Sequence, residues 1–188
     1  QLAEAGARLM VRRRAYLSQI EPLVRQFYRD IAGAGQDVGL AYRCHGLGSV
    51  EDERDCAAAL RDIMAAHEAE ELRRGATGVG PHRDDVDFVL NGRVIRHHGS
   101  QGEQRSFVLA VKMAEIEYLE RLNGAPPVLL LDDISSELDP ERNANLMTFL
   151  RRKRMQVFIT TTDIPTLRLE GIDTHASFRV SRGTVTPS

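Results

Sequence analysis

The sequence predicts an α/β fold: a parallel sheet with flanking helices in the C-terminal part, preceded by a mostly α-helical lobe. Three observations carry this. After residue 100 the pattern runs helix, strand, helix, strand, the order that builds parallel sheets. The strand at Val128–Leu131 is an unbroken apolar run, as expected of a buried parallel strand. The first 75 residues carry helical periodicity and little strand signal. We therefore expect a helical lobe over residues 1–75 and a sheet-bearing portion over 76–188.

Residues 1 to about 32 are expected to form a long amphipathic helix. Leu9, Tyr16 and Leu23 recur at sevens, as do Met10, Leu17, Val24 and Ile31, with Ile20 and Phe27 widening the stripe. Pro22 should kink or restart it, and Gly33-Ala34-Gly35 should end it. A short strand is expected near Val38–Arg43. A second helix follows from Glu51 to about Arg73, acidic at its start as the helix dipole prefers. Gly75 to Gly80 breaks the pattern. Val86–Leu90 alternates and runs into Asn91-Gly92, a strong hairpin signal, so Val94–His97 should be the return strand.

The clearest helix spans Ser100 to Leu122. Ser100 and Glu103 have capping-box spacing, and Gly124, Pro126 and Pro127 supply the stop. Phe107, Val108, Leu109, Val111, Met113, Ile116 and Leu119 are its expected core residues. The strand to Asp132 comes next, then a helix from about Pro140 to Arg151 and a strand at Gln156–Thr160. Ser181-Arg182-Gly183 should close a small hairpin between Phe178–Val180 and Thr184–Thr186.

With 42% hydrophobic and 28% charged residues, the chain reads as soluble and globular rather than disordered. Its net charge of −2 excludes any argument that the whole molecule is drawn to nucleic acid; such a contact needs a local patch. Cys44 and Cys56 fit neither a disulfide framework nor a CxxC knuckle, so reduced thiols in a cytoplasmic protein are expected. No apolar run reaches membrane-spanning length. The chain begins at Gln1 and not Met, and we expect a piece of something longer.

Four stretches carry chemistry. The strand through Val128–Leu131 delivers Asp132 and Asp133 to its C-terminal end, where ligands of open α/β sheets bind. Asp132 could hold magnesium directly or through water, and Asp133 could position an attacking water. Both could equally be turn or capping residues. Ser100-Gln101-Gly102-Glu103-Gln104-Arg105 opens a helix whose amides and dipole suit a phosphate, although a plain cap on a core helix explains the same residues. Ser136-Glu137-Leu138-Asp139 follows the acids. Ile159-Thr160-Thr161-Thr162-Asp163 ends the next strand, where its hydroxyls would sit beside the acids and could sense a terminal phosphate, although β-propensity and a turn explain the same threonines. Elsewhere, His97 and His98 on a strand would point apart and should not share a metal. The dense Gly80–Asp85 string reads as an anchored loop more than a nucleotide contact. Arg151–Arg154 reads as a solvated helix end more than as a DNA contact.

Taken in order, these stretches resemble the second half of an ATP-binding-cassette (ABC) ATPase head. Ser100–Arg105 looks like the signature motif, Leu129–Asp133 like Walker B and Ser136–Asp139 like the D-loop. Thr162 falls where many members carry a switch histidine. The closer resemblance is to the RecF family of SMC-like bacterial DNA replication and repair proteins. Gly80-Pro81-His82-Arg83-Asp84-Asp85, Ser100–Arg105, and Leu130–Asp139 with Arg142 and Leu146 carry it. It is strong over about residues 75–165 and weaker upstream, through Gln1-Leu2-Ala3 and Gly6.

The resemblance implies ATP and Mg2+ as cofactors, with Asp132, Asp133 and Thr162 in the catalytic group and Asp132 also the metal ligand. Ser100, Gln101, Gly102, Glu103, Gln104, Arg105, Ser136 and Asp139 would contact the nucleotide. Ser100 and Gly102 would act in trans, on ATP held by another protomer, and the acids in cis. It further implies an ATP-dependent homodimer on DNA at single-strand/double-strand junctions, with RecR and RecO as partners and a role in recombinase loading. No Gly-x-x-x-x-Gly-Lys-Ser/Thr occurs in the 188 residues. In the family that loop precedes the helical lobe. We therefore expect no ATP hydrolysis from these residues alone. Asp133 in place of the glutamate of many cassette ATPases, and threonine in place of the switch histidine, imply slow turnover. The competing readings are a non-catalytic interaction module derived from such a head, or another SMC-like ABC ATPase.

Overall fold

The computed structural model describes residues 1–44, 52–132, 139–162 and 174–187. The chain divides into two compact units, Gln1–Ala125 and Pro126–Ser188.

The first unit contains α1 (Leu2–Ala32), β1 (Val38–Arg43), α2 (Glu53–Arg74), β2 (Asp85–Leu90), β3 (Arg93–Val94), α3 (Ile95–His98) and α4 (Gln101–Asn123). Helix α1 runs unbroken through Pro22, which does not restart it. Proline costs the helix one i to i−4 donor. Ile20, Leu23 and Val24 are buried on both sides of it, and their packing holds the two halves in one helix. The N-terminal half presents Ala3, Gly6, Ala7 and Met10 to Cys56, Ala57 and Leu60 of α2. A Cβ on Gly6 would lie 2.9 Å from Leu60 Cδ2 and 3.3 Å from a Pro81 ring carbon, so glycine permits this close approach. The C-terminal half presents larger side chains. Tyr28 meets Phe107 of α4 at 5.5 Å between ring centroids, and Phe107 stacks on Phe88 of β2 at 4.9 Å.

Strand β1 pairs antiparallel with β2 from Val38↔Leu90 to Arg43↔Asp85, and β2 pairs with β3. The hairpin turn is at Asn91-Gly92, with φ of 52° and 75°, the left-handed pair a type I′ turn demands. The return strand expected over Val94–His97 is shorter. It stops at Val94, and Ile95–His98 forms a helical turn that buries Ile95. A four-residue apolar alternation cannot distinguish these outcomes. His97 and His98 therefore lie on a helical turn. Among the described residues no group of three or more His, Cys, Asp or Glu could hold a metal.

Helix α4 buries Phe107, Leu109, Ala110, Met113, Ala114 and Ile116, whereas Val108 and Leu119 are exposed. Those two expected core residues are eleven apart, three turns, and share a stripe on another face.

The second unit contains β4 (Leu129–Leu131), α5 (Pro140–Lys153), β5 (Val157–Ile159), β6 (Phe178–Ser181) and β7 (Thr184–Pro187). Strands β4 and β5 are parallel, in register Leu129↔Val157 to Leu131↔Ile159, and β6 and β7 form the expected hairpin. The run leading to Asp132 is only partly buried. Leu130 is 73% exposed and its register partner Phe158 is 54% exposed. Side chains alternate along a strand, so half of the run faces away from whatever covers the other half. No helix among the described residues is long and apolar enough to cross a membrane.

Candidate functional site

Asp132 follows β4 directly, and Thr160 follows β5. The backbone N–H of Thr160 donates to Leu131 O at 2.9 Å, extending the parallel ladder one step past the strands. The Thr160 hydroxyl donates to Asp132 Oδ1, and both side chains are exposed. The two C-terminal strand ends thus place a carboxylate and a hydroxyl side by side, as the sequence led us to expect. Which threonine would do so was not legible, because it depends on register: Leu131 opposite Ile159 sets Asp132 against Thr160. Asp132 Oδ2 has no hydrogen-bond partner among the described residues. Asp133 and Ser136 lie outside the described residues. Thr162 is exposed, two residues beyond Thr160.

At the start of α4 the capping box forms in full. Glu103 N donates to Ser100 Oγ at 3.2 Å, and Glu103 Oε2 accepts from Ser100 N at 2.7 Å and from Ser100 Oγ at 2.8 Å. The Ser100 N–H, and next its hydroxyl, hold the Glu103 carboxyl below its ordinary range. Gln104 Nε2 donates to Gly99 O at 3.0 Å, while Gln101 and Arg105 are exposed. A phosphate oxygen accepting from Ser100 Oγ would take the proton now given to Glu103. Gly102 stands in the first turn between them. Ser100–Arg105 belongs to the first unit, and Asp132 through Thr162 to the second.

Asp139 caps α5. Its carboxylate accepts from Arg142 N at 2.9 Å and pairs with the Arg142 guanidinium. The backbone bond first, and the guanidinium after it, pull its pKa below the usual range. At the other end of α5, Arg154 adopts φ 48° as the left-handed cap, Arg151 donates to Thr148 Oγ1 and Lys153 lies over the Phe149 ring. That basic run is a helix end, as expected.

The Gly80–Asp85 string is tied down by its own protein. Arg13 donates to Pro81 O and Arg83 N to Gly80 O. His82 Nε2 and Arg83 Nε both reach Thr77 O, and Tyr42 OH donates to Asp84 at 2.5 Å. Burial, then that bond, pushes the Tyr42 pKa up. An open groove of about 430 Å³ runs past Arg13, Tyr42, Asp84, Phe88 and Arg96. Of its charges, Arg96 pairs with Asp85 at 3.5 Å and Asp84 accepts from Tyr42, consistent with an anchored loop.

No protein-family profile matches the chain. Its whole length does align with curated proteins. The DNA replication and repair protein RecF of Geobacter sulfurreducens is 94% identical over 187 residues, covering 100% of this chain and 51% of that protein. The matches in Geobacter metallireducens and Geotalea uraniireducens are 76% and 51% identical, each again covering 51% of the relative. The chain matches the C-terminal part of RecF. It spans about half the length of the curated relatives it matches. Solved structures agree. That of the recombination mediator protein RecF-ATPrS in the RecFOR pathway superimposes with a TM-score of 0.79 at 29% identity, covering 99% of this chain and 48% of the other. The corresponding RecF-ATP structure gives 0.78 at 30% identity, covering 100% and 49%. The fold is therefore that of RecF, whose structures are ABC-ATPase-like, with the expected parallel strand pair.

Proposed function

We propose that this chain is the part of a RecF-like ATPase that carries the signature and Walker B motifs, acting in DNA repair and replication-fork recovery. The supporting observation is the carboxylate of Asp132 at the end of β4, oriented by a hydroxyl from the adjacent parallel strand, in a chain that matches RecF throughout. Asp132 fits a magnesium site of the kind that uses one or two carboxylates with substrate phosphates, which needs no cage of three protein ligands. Mg2+ held there would neutralise charge on the nucleotide phosphates. Asp133 would position the attacking water. Ser100 and Gly102 would contact ATP held by a second protomer, with Gln101, Glu103, Gln104 and Arg105 around them, and Ser136, Asp139 and Thr162 would complete the composite site. The active form is an ATP-dependent homodimer on DNA at single-strand/double-strand junctions, working with RecR and RecO to load recombinase in the cytoplasm. Residues 1–75 serve as the helical lobe and 76–188 as part of the head.

In the full-length protein, Asp132→Asn should keep ATP-dependent dimerisation and lose turnover. Unchanged turnover would refute the assignment. The 188-residue chain by itself has no Gly-x-x-x-x-Gly-Lys-Ser/Thr loop and should show no micromolar ATP binding by calorimetry.

A further inference from the structure

Asp132, as the proposed metal ligand, needs its carboxylate held in a fixed geometry. Asp132 is exposed at a strand end, where a two-torsion side chain is not held by packing. Mg2+ demands near-ideal octahedral geometry with oxygens at about 2.0–2.1 Å, so a loosely oriented carboxylate is a poor ligand. Two contacts from one residue supply the missing constraint. The Thr160 backbone N–H, bonded to Leu131 O at 2.9 Å, fixes the main chain of β5 against the residue just before Asp132. Its hydroxyl then donates to Asp132 Oδ1. Threonine is β-branched and stiff at χ1, so this hydroxyl is placed by the strand itself. Occupying Oδ1 leaves Oδ2 as the oxygen to present outward.

We propose that Thr160 is a positioning residue for Asp132: its hydroxyl holds Oδ1 so that Oδ2 faces the magnesium ion of a bound Mg-nucleotide. This rests on the proposed role of Asp132. It differs from the position the family pattern emphasises, since Thr162, and not Thr160, stands where the switch histidine would be. Hydrogen-bond partners of metal-ligating carboxylates matter nearly as much as the ligands, and their loss costs about 10- to 100-fold in metal affinity or activity.

The test is Mg2+ titration of ATP turnover in the full-length protein, with thermal melting alongside. Thr160→Val is nearly isosteric and removes only the hydroxyl. It should raise the half-saturating Mg2+ concentration about 10-fold or more, while melting stays close to wild type. Thr160→Ser should restore the wild-type titration, which a merely structural role at an exposed position would not require. In an Asp132→Asn background, where turnover is lost, the readout is the Mg2+ dependence of ATP-dependent dimerisation, and Thr160→Val should add nothing to it. A wild-type Mg2+ titration for Thr160→Val, an equal shift in Thr160→Ser, or a Thr160→Val effect that persists beside Asp132→Asn each overturns the positioning role. Wild-type turnover by Asp132→Asn alone overturns the underlying assignment of the metal ligand, which is a separate failure.

Discussion

Replacing Phe107 by alanine probes the join that supports the start of α4. The ring is fully buried, stacked 4.9 Å from Phe88 of β2 and tilted 5.5 Å from Tyr28 of α1. Losing a buried phenylalanine removes transfer free energy and opens a cavity, together about 3–5 kcal/mol. Two aromatic pairs are lost as well, which favours the upper half of that range. Taking about 4 kcal/mol, and an unfolding entropy of about 2.1 cal/mol/K for each residue of the Gln1–Ala125 unit, the melting temperature of that unit should fall by roughly 15 °C. Thermal unfolding followed by circular dichroism reads this directly. Val108→Ala is the control one residue away: Val108 is 51% exposed, and its loss should stay within about 0.5 kcal/mol. A Phe107→Ala loss no larger than that of Val108→Ala would show that three elements do not converge on this ring, and the account of the first unit would fail.

Two other outcomes follow from the titrating groups. Burial and the neighbouring Glu115 push the Tyr16 pKa up to about 12, and burial with Asp84 raises Tyr42 further still. The native state thus favours the neutral phenols. Their contribution is complete below the ordinary tyrosine range near pH 10 and is lost as pH rises through the folded values. Denaturant melts from pH 9 upward should show a decline that a Tyr16→Phe/Tyr42→Phe double variant flattens; an unchanged slope would refute the shifts. Cys56 is fully buried and its thiol is pushed up by that burial, whereas Cys44 is half-buried. Native-state labelling with a thiol reagent should therefore give one faster site at Cys44 and one slow site at Cys56, and equal rates would contradict the packing of α2 against α1.

Local chemistry made much of this chain legible without a fold. The Ser100–Glu103 box, the left-handed turn at Asn91-Gly92 and the glycine caps at Gly75 and Gly124 depend only on residues a few positions apart, so spacing alone locates them. The apolar run before Asp132 likewise announces a strand that ends in acid. Where the sequence misled, the deciding interactions were long-range or too short to have a period. Packing of Ile20, Leu23 and Val24 carries α1 past Pro22, burial of Ile95 converts the expected return strand into a turn of helix, and the rotation of α4 leaves Val108 and Leu119 outside.

The sequence by itself determined which acids and hydroxyls reach the strand ends, because alternation and β-propensity are properties of consecutive residues. Only the tertiary structure decided that Thr160, among three consecutive threonines, meets Asp132. That choice depends on the register of two parallel strands joined through a helix, and a shift of one residue would turn a different side chain toward the acid.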